Sequence, residues 1–430
     1  MKDRKIKLTE KTKKIITALL AGVFIALAFT GGYFSKYIID GKKRNTTSEL
    51  VRLIEQVGYV YDPVTGEERA VTEQDIADAL INGLLDDYAE YYDSEEYKTV
   101  KEERKGKNNG IGLLLVKDTC DVFGVYGNSP ADLAGIKQGD KLLFGKYGDN
   151  TTTFSTSTDF SEFLTGIEQD KEFTLDFYRE GIGQYTAVVR KSEYVRAFVS
   201  YFDNEMQYVF RTEKGEITGK ELSGGMDLPV DTAYIKLDNF EGDAFEQMKE
   251  ALSYMKGRGK TKLLLDLRNN RGGNMEVLID IASLLINNGG SRKTLIAYAQ
   301  GKQKAENFYT TKNNFYDNIT AISVIANENS ASATECLIGA MLYYGDGFGT
   351  NRLIIEKNKD GVAKTFGKGI MQTTYKLVTG GAFKLTTAKL YLPDRLTSIH
   401  GVGFIAPGEN AVDKANALTR AINSLNQPKE

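Results

Sequence analysis

The alternation of apolar and polar positions divides the chain into four stretches. Ile15–Phe34, IITALLAGVFIALAFTGGYF, is uncharged for twenty residues, enough for a helix to cross ~30 Å of hydrocarbon. SELVRLIEQVGYV and, after Thr72 as an N-cap, TEQDIADALINGLLDDYAEYY place apolar residues at helical spacing, so residues 45–105 are predicted to be helical. KEERKGKNNG then reads as a linker. From Gly110 to Lys191 the texture changes to short strands around two helices, SPADLAG and TDFSEFLTGIE. Ser129 is the predicted N-cap of the first, with Pro130 at its first position and Asp132 in its first turn. From Thr232 short apolar strands (AYIKL, KLLLDL, TLIAYAQ, AISVIAN, RLIIEK) alternate with amphipathic helices (AFEQMKEALSYMKG, MEVLIDIASLLINN, ATECLIGAMLYY). That rhythm predicts a largely parallel sheet covered on both faces. Residues 196–231 follow neither period and receive no assignment.

Charge changes the picture at the N-terminus. Seven basic residues lie between Lys2 and Lys14, ahead of the apolar run. Residues 1–44 therefore read as a cytoplasmic basic flank and a transmembrane or signal-anchor segment, leaving the remainder outside the cytoplasm. Ala26-Leu27-Ala28 also has the form of a signal-peptide cleavage site, which would make the protein secreted. Of the whole chain of 430 residues, 41% are hydrophobic and 26% charged, with a net charge of −3. These values describe a globular, multidomain protein with no basic excess for binding nucleic acid. The acidic run DDYAEYYDSEEY reads as a solvated helix end rather than a calcium site. Cys120 and Cys336 fit neither a disulfide framework nor a zinc spacing, and His400 is the sole histidine. A general base in this protein has to be something other than an ordinary histidine.

Three motifs hold the candidate chemistry. Asp266-Leu267-Arg268-Asn269-Asn270-Arg271-Gly272-Gly273 follows strand KLLLDL, where glycines and a helix start offer backbone N–H groups to an anion. Asn327-Glu328-Asn329-Ser330-Ala331-Ser332-Ala333-Thr334-Glu335 again joins a strand to a helix, leaving a serine hydroxyl beside the helix dipole. Phe366-Gly367-Lys368-Gly369-Ile370-Met371-Gln372 sets a lysine between two glycines. A free lysine is only ~0.04% neutral at pH 7, so it becomes a base where burial disfavours its charge.

Taken in order, these pieces resemble the carboxyl-terminal processing peptidases, or tail-specific proteases, over residues 72–410. GLLDDYAEYYDSEEY is similar to the family's helical signature, and Gly110-Ile111-Gly112 with GNSPADLAGIKQGD to its inserted PDZ domain. LDLRNNRGG, NENSASATE, FGKGIMQ and SIHGVGF are similar to its core motifs. The resemblance implies an α/β multidomain protein: an N-terminal membrane helix (1–44), a helical region (45–105), a PDZ-like β/α domain (106–195) and a serine peptidase core (196–425). It implies Ser332 as nucleophile, Lys368 as base, Gln372 as the residue orienting that lysine, and backbone N–H groups of Gly272, Gly273 and Ala333 as oxyanion donors. Gly110, Ile111 and Gly112 are implied to receive a substrate's C-terminal carboxylate, the tail adding as a strand.

The implied partners are protein or peptide substrates with free C-termini and, through the N-terminal helix, the membrane. No nucleic acid, metal or other cofactor is implied. A homodimer through the N-terminal helical region is compatible with the resemblance, and so is gating by the PDZ-like domain. The sequence departs from the family at Arg271, where a proline or small residue is usual, and at Thr334, where a serine is usual. The proline-aspartate that usually follows the closing motif is missing from GFIAPGENA. The interval of 36 residues from Ser332 to Lys368 is longer than usual. Against the peptidase stands a catalytically silent, membrane-tethered PDZ module. A nucleotide or sugar enzyme finds no phosphate-binding motif to support it.

Overall fold

A computed structural model describes residues 60–61, 68–116, 118–213, 216–287, 294–302, 304–311, 316–378 and 380–430. The predicted membrane segment and the SELVRLIEQVGY helix lie outside them, and no helix among the described residues is long and apolar enough to cross a membrane. The chain divides into a unit ending at Asp87 and a second running from Tyr88 to Glu430. In the first, β1 (Val60–Tyr61) pairs antiparallel with β2 (Glu68–Arg69), and α1 (Glu73–Leu84) follows. Thr72 caps α1 through a reciprocal box with Asp75.

The second unit opens with β3 (Glu90–Tyr92) and α2 (Ser94–Arg104), so residues 45–105 are not uniformly helical. KEERKGKNNG is no linker either. Its first half completes α2 and its second half is β4 (Lys107–Gly110), paired with a strand more than eighty residues later. No local pattern could disclose that partner.

Between the strands of that pair lies the β/α unit. It contains β5 (Leu113–Leu115), β6 (Val122–Val125), α3 (Pro130–Leu133), β7 (Lys141–Tyr147), β8 (Asn150–Thr153), α4 (Ser157–Thr165), β9 (Glu172–Arg179) and β10 (Gly183–Arg190), closed by β11 (Ser192–Val195). The predicted α3 cap is present: the Ser129 hydroxyl accepts from the Asp132 amide, with Pro130 at the first helical position. A separate core, including Ile111, Leu142, Phe160, Leu175 and Phe177, fills this unit.

The unassigned stretch 196–231 forms β12 (Val199–Phe202), β13 (Met206–Glu213) and β14 (Glu216–Ser223). These continue into β15 (Thr232–Leu237), α5 (Ala244–Gly257), β16 (Lys262–Asp266), α6 (Met275–Leu285), β17 (Leu295–Gly301), β18 (Ala305–Tyr309), β19 (Ala321–Ala326), α7 (Ala333–Tyr344), β20 (Leu353–Glu356), β21 (Ile370–Lys376), β22 (Ala382–Tyr391), β23 (Ala411–Val412) and α8 (Ala417–Leu425). The main sheet has the order β14-β13-β12-β15-β16-β19-β20-β23. It is mixed rather than largely parallel: β15 to β23 pair in parallel, whereas β12, β13 and β14 are antiparallel. The short turns joining those three strands permit only antiparallel pairing, since parallel pairing needs a crossover.

Both faces of this sheet are covered, as the alternation predicts. Leu263 and Leu265 of β16 face the core beneath α5, α6 and α7, while Leu264 faces the smaller core under α8 with Ala417, Ala421 and Leu425. TLIAYAQ does not extend this sheet. As β17 it joins β18, β21, β22 and β3 in a second, antiparallel sheet.

Candidate active site

The site begins where β16 and β19, parallel neighbours with Asp266 beside Ile325, both end in turns to helices. Ligands gather at such carboxyl ends because helix N-termini converge there. The first turn is anchored by charge. Arg268 bonds Asp266 at 2.6 Å and Glu356 of β20 at 2.6 Å, and Tyr234 donates to Asp266. Burial would raise the Asp266 carboxyl, but Arg268, aided by Lys236 and Tyr234, holds it below its ordinary value.

Asn270, fully buried, then braces the glycines. Its amide nitrogen donates to the Leu237 carbonyl and its amide oxygen accepts from the Gly272 N–H, both at 2.9 Å. The Gly272 N–H, expected to face an oxyanion, is thus engaged by Asn270, and Gly273 beside it stands at φ +146°. Both glycines are required by close approach. A Cβ on Gly272 would lie 2.8 Å from the Ala331 carbonyl oxygen, and one on Gly273 2.4 Å from that of Phe240.

The second turn separates two serines. Ser330 is fully buried, and its hydroxyl donates to the Leu267 carbonyl at 2.8 Å and accepts from the Asn327 N–H at 3.0 Å. It stitches the two turns together. Ser332, half-buried at the head of α7, has φ 57° and ψ −116°, a conformation that costs a side-chain-bearing residue of order 1–3 kcal/mol. This strained strand–turn–helix step is the geometry of a nucleophile elbow. Thr334 is fully buried, and its hydroxyl donates to the Asn270 carbonyl at 2.9 Å.

The third segment is held to the second by a residue that motif reading quoted without a role. Glu335, fully buried in the first turn of α7, accepts from the Ser332 N–H at 2.9 Å, the Thr365 hydroxyl at 2.5 Å, the Gly367 N–H at 2.8 Å and the Lys368 N–H at 2.9 Å. The Phe366 N–H also donates to the Ser330 carbonyl at 3.0 Å. The glycines around Lys368 let this loop press on the SIHGVGF turn: a Cβ on Gly369 would lie 2.6 Å from the His400 nitrogen. The Gly401 N–H donates to the Gly367 carbonyl at 2.8 Å. His400 itself is exposed on that turn, a supporting rather than a reacting position.

Ser332, Lys368, Gln372, Gly272 and Gly273 line one cleft of about 890 Å³. Lys368 is half-buried rather than sealed from water, and its ammonium nitrogen lies 4.4 Å from the centre of the Tyr88 ring. The amide nitrogen of Gln372 donates to the Thr386 hydroxyl at 3.0 Å. Among the described residues no group of acidic, cysteine or histidine side chains is arranged to hold a metal.

Gly110, Ile111 and Gly112 line a different cleft, of about 470 Å³, together with Leu113, Leu164 and Arg196. Ile111 is only 1% exposed and packs into the core of the β/α unit, so its backbone, not its side chain, faces this cleft. Gly112, at φ +74°, is pressed against Ser129. Arg196 was not foreseen. It is buried between Tyr126 and Phe198, 4.1 and 4.4 Å from the ring centres.

Residues 231–407 match the model of peptidase family S41. A "Probable CtpA-like serine protease" of Staphylococcus aureus (strain N315) is 28% identical over 329 residues, 76% of this chain and 57% of that protein. One of the same description from Staphylococcus epidermidis (strain ATCC 12228 / FDA PCI 1200) is 26% identical over 378 residues, 86% of this chain and 68% of that protein. The chain thus spans 57% of the length of the Staphylococcus aureus relative. A solved structure of the photosystem II D1 C-terminal processing protease aligns with 87% of this chain and 95% of its own, at 19% identity and a TM-score of 0.49.

Proposed function

We propose that the chain, whose residues 231–407 match the model of peptidase family S41, is a serine endopeptidase of the CtpA type, exported and anchored by its N-terminal segment. In this reading its PDZ-like unit takes the C-terminal tails of protein substrates, with the carboxylate received at Gly110–Gly112. The observation that carries the proposal is the convergence of Ser332, on a strained turn, with Lys368 and the Gly272–Gly273 turn along one cleft.

Lys368, in its neutral form, takes the proton of the Ser332 hydroxyl as Oγ attacks a peptide carbonyl carbon. The carbonyl electrons move to oxygen, where the N–H groups of Gly273 and Ala333 stabilise the oxyanion. Collapse breaks the C–N bond, and Lys368 returns its proton to the departing amine. A water, deprotonated by the same lysine, then hydrolyses the acyl-enzyme. Gln372 orients the lysine from β21.

Ser332→Ala and Lys368→Ala are each expected to remove cleavage of unstructured protein substrates while leaving the melting temperature near that of the wild type. Wild-type turnover by purified Lys368→Ala would refute the base. A wild-type protein that binds tails but cleaves no better than Ser332→Ala would instead be the silent binding module.

A further inference from the structure

The cleft around Ser332 is basic in a chain that is acidic overall, and we propose that it selects substrates with Asp or Glu flanking the scissile bond, Arg271 being the main determinant. This rests on the peptidase reading above. Apart from Lys368, the cleft is lined by the cations Lys101, Arg104, Lys105, Arg271 and Lys384 and by only two carboxylates, Glu241 and Glu306, whereas the whole chain carries a net −3. Two of these cations are already paired, Lys105 with Glu102 at 2.6 Å and Lys384 with Glu90 at 2.5 Å.

Lys101, Arg104 and Arg271 form no ion pair among the described residues. Lys101 lies 5.0 Å from the centre of the Tyr97 ring. Arg104 sits near Glu90 and Glu241: burial still raises the Glu241 carboxyl above its ordinary value, while at Glu90 burial is outweighed by Lys384 and the Tyr92 hydroxyl, with Arg104 a smaller contribution. Arg271 is exposed, its guanidinium 5.0 Å from the centre of the Phe123 ring on β6. That stacking orients a flexible side chain without neutralising it. Arg271 also directly precedes the Gly272–Gly273 turn, so it stands beside any carbonyl held there. A carboxylate side chain near the scissile bond would meet it, while Lys101 and Arg104 would attract acidic residues further along. Several like charges lining a cleft raise both capture rate and discrimination, and salt screens them.

The test uses the full chain and three unstructured peptides sharing one scissile segment and one C-terminal tail, with Glu, Gln or Lys flanks. At low salt the Glu peptide is expected to exceed the Gln peptide in kcat/KM by about ten-fold, and the Lys peptide by more. At 0.5 M salt the preference should shrink to about two-fold. Arg271→Gln should cut the Glu-to-Gln ratio three-fold or more, with Arg271→Lys restoring most of it. The double variant Lys101→Gln/Arg104→Gln, on exposed helix positions, should also lower the ratio and stands in if Arg271→Gln does not fold. Equal rates on the Glu and Gln peptides, with cleavage lost in Ser332→Ala, would overturn the specificity and leave the peptidase intact. So would variants that lose binding to phosphatidylglycerol vesicles but keep the peptide ratio. No Ser332-dependent cleavage of any peptide would remove both readings.

Discussion

Ser332 and Ser330 sit two positions apart in one motif and do opposite things. Ser330 satisfies its hydroxyl internally and is fully buried, whereas Ser332 sits on a backbone at φ 57°. Such strain persists only where the surroundings over-determine it, and glycine relieves it because no Cβ is present. Ser332→Gly is therefore expected to be more stable than Ser332→Ala by about 1 kcal/mol in urea unfolding, while both lack activity. Equal stabilities would mean the turn is unstrained. The sequence shows that both serines precede a helix, but not which one the turn holds inward. That follows from Leu267, which belongs to a motif sixty-three residues earlier.

The elements are joined by one carboxylate. Glu335 ties the first turn of α7 to the loop before β21, so the backbones carrying Ser332 and Lys368 move as one piece. This offsets the long interval between them: DGFGTNRLIIEKNKDGVAK includes β20, a strand of the main sheet, not a free loop. In Glu335→Gln an amide NH₂ would face backbone donors, and an unsatisfied buried donor costs about 1–3 kcal/mol. The variant is expected to lose most of kcat and several degrees of melting temperature, unlike Ser332→Ala, which loses activity alone. A Glu335→Gln protein with wild-type kcat would show that the two backbones need no such tie. Sequence periodicity foresaw α5, α6 and α7 and the strands between them, because each buries a face at a fixed spacing. It failed at β4 and at β12–β14, whose burial depends on distant partners.

Across the molecule each core carries a buried carboxylate held by arginine. In the β/α unit burial pushes Asp140 up, but Arg179, the Tyr185 hydroxyl and the Lys137 N–H outweigh it and bring it below its ordinary value. Asp266 and Asp203, at strand ends of the main sheet, are lowered by Arg268 and Arg258 in the same way. For each, the folded value lies below the unfolded one, near 3.9 for aspartate. Their stabilisation is complete above about pH 5 and is lost as pH falls through the depressed values. The melting temperature should thus be flat from pH 7 to about 5 and fall steeply below about 4. Asp140→Asn should flatten the acid limb of the β/α unit's transition. A melting temperature unchanged down to pH 3 would contradict the linkage.

By itself the sequence determined the helices and strands that bury a periodic face, the β/α texture between Gly110 and Lys191, and the three motifs that meet at the candidate cleft. Each of these follows from local spacing or from residue type. Only the tertiary structure decided that the main sheet is mixed, that Gly272 spends its N–H on Asn270, and that Glu335 fastens two segments together. It also decided that Arg271 opens onto the same cleft as Ser332. Those outcomes depend on contacts between residues far apart in the chain, which no pattern of neighbours contains.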